Sequence, residues 1–157
     1  MNFRLRKATE KDFERINALF CEMIRAIYGK DDVSGYGEGD LDYYFADGED
    51  FICVAEIDGA IEGFLSIEVH REKKCFLYLD DFCVSENHCG KGIGTALISQ
   101  AEEYGKNIGF VSIVLHVEES NIAAKKLYEK RGFLPLRKDG TRLCMVKHLD
   151  SFEILNK

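Results

Sequence analysis

The sequence predicts an α/β protein of the α+β kind, built on a twisted mixed sheet that is mostly antiparallel with a central parallel pair. Two hairpins and one crossover predict it. Apolar runs at residues 51–57 and 61–69 flank Asp58-Gly59, the dipeptide of a type I′ hairpin turn. A second hairpin is written in residues 133–137 and 142–149 around Asp139-Gly140. Between the hairpins, residues 75–84, a helical stretch after Gly92 and residues 110–117 read as strand, helix and strand, a right-handed crossover that makes its two strands parallel.

In chain order, residues 2–6 alternate weakly and make a first strand. Thr9 followed by Asp12 resembles a capping box with Asp in place of Glu. Phe13, Ile16, Phe20, Met23, Ile24 and Ile27 then recur at helical spacing until Gly29. Residues 31–50 hold eight acids and no bases. The glycine-rich first half of that segment reads as loop, and Asp40 stands where it would cap a short helix over residues 41–46. Residues 71–74 form a polar link. Ile93, Leu97, Ala101 and Tyr104 mark a helix expected to stop at Gly105. Residues 110–117 are almost continuously apolar, which suits a parallel strand covered on both faces. Ser120 is placed to cap the next helix, which carries Ala123, Ala124, Leu127 and Tyr128 and ends at Gly132. No repeat or linker interrupts this order, so a single domain over residues 1–157 is expected, and the tail from Asp150 carries no pattern.

The formal charge of −7 argues against a nucleic-acid binder, which needs a clustered basic face. The acidic segment at 31–50 alone accounts for the imbalance. The start, MNFRLRKATEKDF, lacks the apolar run of a signal peptide, and no stretch is long enough to cross a bilayer, so no membrane partner is expected. Cys21, Cys53, Cys75, Cys83, Cys89 and Cys144 are scattered singly without CxxC or zinc spacing. A reduced, cytoplasmic protein without a metal is the expectation.

The chemistry concentrates in residues 77–97, LYLDDFCVSENHCGKGIGTAL. A β-rich run carries two adjacent acids and passes through Gly90, Gly92 and Gly94 into a helix. Glycines let backbone N–H groups approach a diphosphate, and a helix N-terminus adds partial positive charge. The loop lacks the ending of a Walker A motif and the spacing of GxGxxG. Ligands of open sheets gather at the carboxyl ends of the strands, where Val84 and Val117 end.

Downstream, residues 121–133 read NIAAKKLYEKRGF. The glycine loop resembles the pyrophosphate loop [QR]xxGx[GA] of the GNAT superfamily of acyl-CoA N-acyltransferases, and the second stretch resembles its NxxAxxLYxxxGF helix. The resemblance covers nearly the whole chain. It implies the GNAT fold with helices on both faces of the sheet, acetyl-CoA as co-substrate and acetyl transfer to an amine. Cys89 departs from the pattern, standing where the family usually carries Arg or Gln. A thiol beside a helix N-terminus is a candidate for reaction with alkylating reagents.

The resemblance assigns the parts residue by residue. Phe82, Cys83 and Val84 match the strand whose backbone pairs with pantetheine, and the Phe82 N–H would polarise the thioester carbonyl. Cys89, Gly90, Lys91, Gly92, Ile93, Gly94 and Thr95 match the diphosphate cradle. Asn121 matches an asparagine that contacts the cofactor or a site water, and Tyr128 the tyrosine that acts as general acid toward the departing sulfur. An alkyl amine is mostly protonated at neutral pH, so a base must take its proton, at a cost of roughly 4–5 kcal/mol. Residues 78–84, YLDDFCV, are similar to the YLEDFFV stretch of spermidine/spermine acetyltransferases, which points to Asp80 as base. His116 matches the base position of protein N-terminal acetyltransferases. Asp81, on the opposite strand face from Asp80, and a water-only route remain alternatives.

The acceptor expected from the acidic segment is a small cationic amine such as a polyamine, an aminoglycoside or a lysine-like compound. Tyr36, Tyr43 and Tyr44 stand where they would stack on or cover it, with a place in the core as the alternative for Tyr44 and Phe45. Transfer to a protein or peptide amine, and a non-catalytic acyl-CoA-binding domain, are the alternatives, and a homodimer is expected by analogy.

Overall fold

The computed structural model describes residues 2–149, so the tail from Asp150 lies outside the described residues. Among the described residues, seven strands form one sheet in the order β1-β2-β3-β4-β5-β7-β6. They are β1 (Arg4–Lys7), β2 (Phe51–Ile57), β3 (Ala60–His70), β4 (Phe76–Val84), β5 (Ser112–Glu118), β6 (Leu134–Asp139) and β7 (Arg142–His148). The helices are α1 (Phe13–Tyr28), α2 (Asp42–Phe45), α3 (Ile93–Asn107) and α4 (Ile122–Lys130). The strand registers make β4 and β5 parallel, and the pairs β1/β2, β2/β3, β5/β7 and β6/β7 antiparallel. Two compact units share these elements. One takes the chain up to Ile67 together with Asp81–Ile98; the other takes Glu68–Asp80 and the chain from Ser99 onward.

The first unit is organised by α1. Ile16 and Leu19 are fully buried against Leu41, Tyr44, Ile52, Val54, Phe64 and Cys83, with Phe13, Phe20 and Met23 packed around them. Each such aliphatic burial stabilises by roughly 1.5–3 kcal/mol. The start of α1 is fixed by Asp12, whose carboxylate accepts the Thr9 N–H at 2.8 Å and the Arg6 guanidinium at 2.8 and 3.0 Å. Arg6 also binds Glu56 on the neighbouring strand β2, so one arginine ties helix start to sheet. The β2–β3 hairpin forms as expected, with φ of 50° at Asp58 and 84° at Gly59. Asp40 does not cap α2. Its carboxylate turns back to accept the Gly37 N–H at 2.6 Å, and Leu41 takes the cap position.

In the second unit, α3 runs through Gly105 to Asn107 instead of stopping there. A Cβ at Gly105 would lie 2.7 Å from Leu149 Cδ1 and 3.1 Å from Leu77 Cδ1. Gly105 is therefore a close-packing glycine inside the helix. The nearly continuous apolar run at residues 110–117, most of which is β5, also misleads. Ile113, Leu115 and Val117 are buried, whereas Val114 and His116 are only half-buried, because successive side chains leave the strand on opposite faces. Asn121, not Ser120, caps α4, its Oδ1 accepting the Ala124 N–H at 3.3 Å. In the last hairpin Asp139 pairs with Arg142, so the turn is Gly140-Thr141 with positive φ at the glycine, one residue beyond the expected position.

Candidate functional site

In the first unit, β4 ends at Val84 and the chain passes through Ser85, a single 3-10 turn at Glu86–His88, and residues 89–92 before α3 begins. Gly90 and Gly92 have φ of 76° and 87°, and a Cβ on either would meet nothing within 4 Å. The backbone conformation, not crowding, calls for glycine there. Positive φ at two glycines one residue apart is backbone that lets N–H groups approach an anion closely. The first N–H groups of α3, at Ile93, Gly94 and Thr95, have no partner within the helix, which adds to the positive end. Residues 89–92 are exposed, so this cradle opens to solvent.

The side chains there have separate duties. Ile93 is buried, leaving its N–H as its contribution to the loop. Cys83 is buried too, its thiol donating to Leu19 O at 3.1 Å and pushed up to about 12 by burial. Phe82 and Val84 leave the strand on the other face and are half-buried. The Cys89 thiol points back to Ser85 O at 3.4 Å. His88 Nδ1 lies 2.9 Å from Ser85 Oγ and 3.4 Å from Glu62, which also holds Arg15, so the turn before the glycines is braced from β3 and α1.

The acidic segment is tied to the same unit. The Tyr36 hydroxyl donates to the Asp81 carboxylate, the Tyr36 N–H donates to Asn17 Oδ1 at 2.8 Å, and the ring stacks on Phe20 at 4.2 Å. Tyr44 is core, and Tyr43 is half-exposed. Asp81 thus anchors the loop, while Asp80 is exposed on the opposite face of β4.

In the second unit the structure brings His116 between two partners. Tyr78 Oη lies 2.7 Å from His116 Nδ1, and His116 Nε2 lies 2.8 Å from Asp139 Oδ2. A carboxylate only accepts, so Nε2 carries the proton toward Asp139. In the neutral ring, Nδ1 then accepts from the Tyr78 hydroxyl. The hydrogen bond from His116, then the Arg137 guanidinium, holds the Asp139 carboxyl below its ordinary range. Burial, with the charge of Asp80 adding to it, pushes the Tyr78 hydroxyl above its ordinary range. Burial does the same for Tyr128, which packs edge-on against Phe133. Asn121 spends its Oδ1 on the α4 cap.

Tyr78 and Asp139 were not among the residues that the sequence singled out. Tyr78 read as ordinary strand and Asp139 as half of a turn. Only the registers, Tyr78 beside Val114 and Asp139 beside Arg142, place them around His116.

An exposed glycine turn that leads from a strand of a mixed sheet into a helix N-terminus is an α/β arrangement suited to an anionic ligand. The chain belongs to the acetyltransferase (GNAT) family, whose model matches residues 20–133. An uncharacterized N-acetyltransferase of Bacillus subtilis, YobR, is 40% identical over 65 residues, 41% of this chain and 26% of that protein. Streptothricin acetyltransferase of Streptomyces lavendulae is 30% identical over 103 residues, 66% of this chain and 53% of that protein. The matched stretches thus span about a quarter to a half of the length of these relatives. The fold is shared with PaiA N-acetyltransferase of Thermoplasma acidophilum, solved in complex with coenzyme A. Its TM-score is 0.78 at 20% identity, with 94% of this chain and 99% of that chain covered.

Proposed function

We propose that the protein is an acetyl-CoA-dependent N-acetyltransferase whose acceptor is a small cationic primary amine that attacks the acetyl thioester directly in a ternary complex. The observation that carries this reading is the exposed turn at Gly90–Gly92, with positive φ at both glycines, before α3 and inside the segment that the family model matches. It fits the diphosphate of coenzyme A through backbone groups alone, which makes Cys89 in place of a basic or amide side chain tolerable. Acetyl-CoA supplies an activated acetyl thioester. The residues that would hold it are Phe82, Cys83 and Val84 by their backbone, Cys89, Gly90, Lys91, Gly92, Ile93, Gly94 and Thr95 at the diphosphate, and Asn121 and Tyr128.

Proton handling falls to the chain's own side chains. The amine must lose a proton as its nitrogen bonds to the acetyl carbon. Tyr78 can accept it at Oη while passing its own proton to His116 Nδ1, and Asp139 then stabilises the imidazolium through Nε2. As the carbon–sulfur bond breaks, the Tyr128 hydroxyl is the family position that returns a proton to sulfur. It is kept protonated by burial. The Phe82 N–H takes the family role of donor to the carbonyl oxygen. Asp80, favoured by the likeness of β4 to the spermidine/spermine enzymes, is the competing base. The geometry favours His116, because two hydrogen bonds fix its ring.

The acceptor assignment rests on the exposed acids of residues 31–50 and accords with a streptothricin acetyltransferase among the relatives. Six free thiols suit a reducing compartment such as the cytoplasm. Among the described residues, no helix is long and apolar enough to cross a membrane. The test is thiol release from acetyl-CoA with polyamines, aminoglycosides, amino acids and peptides as acceptors. Turnover with the cationic small amines, with KM rising as salt is added, is the expected result. Turnover with peptides alone would overturn the acceptor class, and coenzyme A binding without turnover on any acceptor would overturn the enzyme reading.

A further inference from the structure

The face of β5, β7 and β6 that carries His116 holds more than a proton relay. His116 and Cys144 are directly opposed on the antiparallel pair β5/β7, so their side chains share a face. Arg137 opposes Cys144 from β6, and Asp139, two residues on, returns to that same face. The imidazole nitrogen, the Asp139 carboxylate oxygen and Cys144 Sγ all lie within 4.8 Å of one another. Cys144 is fully buried, His116 is 13% exposed in its side chain and Asp139 38%, so the cluster has a closed floor and an open mouth.

We propose that His116 Nε2, Asp139 Oδ2 and Cys144 Sγ form a zinc-binding site of three protein ligands with a fourth position open to water. The donor set is one nitrogen, one oxygen and one sulfur, which suits a borderline-soft, tetrahedral divalent ion and disfavours magnesium or calcium. In that geometry donor atoms around zinc stand about 3.3–3.8 Å apart. The Nε2–Oδ2 separation of 2.8 Å must widen slightly, and the sulfur must close. The metal takes the place of the proton between ring and carboxylate. That proton moves to Nδ1, which then donates to Tyr78 Oη at the present 2.7 Å spacing, the orienting bond that ligating histidines usually make. The Cys144 thiol releases its proton to solvent, and thiolate and carboxylate together balance the ion's charge. Arg137, now 3.0 Å from Asp139, has to yield its hold on the coordinating oxygen.

The site differs from the glycine cradle and needs neither acetyl-CoA nor an acceptor. If His116 moves the proton as proposed above, zinc also silences the enzyme, a consequence that rests on that reading. The binding test does not depend on it.

The experiment titrates Co2+, as a spectroscopic stand-in, and then Zn2+ into the intact protein after treatment with chelator. One equivalent of Co2+ should give a sulfur-to-cobalt charge-transfer band with tetrahedral visible absorption, and Zn2+ should bleach both. Cys144→Ser should lose the band, and Cys89→Ser should keep it. Asp139→Asn, at a partly exposed position that tolerates the change, should weaken Co2+ binding at least about tenfold, and Tyr78→Phe about 10–100-fold. Wild-type protein without the band, or a band that survives in a folded Cys144→Ser protein, overturns the site. An inactive protein that shows the band still supports it, and an active protein that lacks it refutes it.

Discussion

His116 Nε2 stands 2.8 Å from Asp139 Oδ2, while its other ring nitrogen faces the Tyr78 hydroxyl at 2.7 Å. Such a ring can take a proton on one side and have the resulting charge matched on the other. His116→Ala should lower kcat by about 10²–10⁴-fold while leaving the Kd for coenzyme A near its wild-type value. Asp139→Asn should cost less, since an amide oxygen still accepts a hydrogen bond but no longer balances charge. Steady-state rates with equilibrium binding decide it. A His116→Ala enzyme within a few-fold of wild type would return the base to Asp80.

Tyr128 is buried at 6% exposure and holds its proton far above neutral pH. Removing only its oxygen in Tyr128→Phe keeps the ring contact with Phe133. The expected signature is a kcat lowered on the order of 10²-fold with a nearly unchanged melting temperature. An unaltered kcat would exclude the general-acid role.

Gly105 sits within α3 against Leu77 and Leu149. Alanine would gain about 1 kcal/mol in helix propensity, but its methyl group would displace two packed leucines, which typically costs about 1–3 kcal/mol. Overpacking should win, so Gly105→Ala lowers the urea midpoint. A rise in the midpoint would show that both leucines can move aside freely.

The hydrogen bond from Arg6, before any other influence, holds the Asp12 carboxyl below its ordinary range. The unfolded chain therefore binds more protons than the folded one in the acid range. The stabilisation is present above the ordinary aspartate pKa and is lost as pH falls through the lower, folded value. Urea unfolding of wild type and Asp12→Asn should differ near neutral pH and converge as the pH falls below the ordinary aspartate range. A gap that widens in acid would reverse the sign of this linkage.

Local signals carried most of the fold. The α1 stripe, the Asp58-Gly59 turn and the strand–helix–strand unit are each written within a few consecutive residues, and each formed. What failed was what depends on distant partners. Gly105 looked like a helix stop because Leu77 and Leu149, which explain it, lie far away in sequence. Ser120 and Asn121 are adjacent and equally suited to cap a helix, and only the backbone geometry at Asn121 decides between them. The candidate site shows the same division. The glycine cradle is contiguous and was legible, whereas the partners of His116 come from β4 and from the end of β6, and no spacing rule joins them.

The acidic segment is moored to the frame beneath it. Tyr36 is held by Asn17 and Asp81, and Leu41 and Tyr44 are sunk in the core. Between those moorings Asp31, Asp32, Glu38 and Asp47 stand exposed on the surface. Natural variation can therefore rewrite the sign and density of charge on this rim one residue at a time without disturbing the folding of the frame beneath. On the acceptor reading proposed above, related chains would be free to part ways in what they welcome while keeping the same glycine turn.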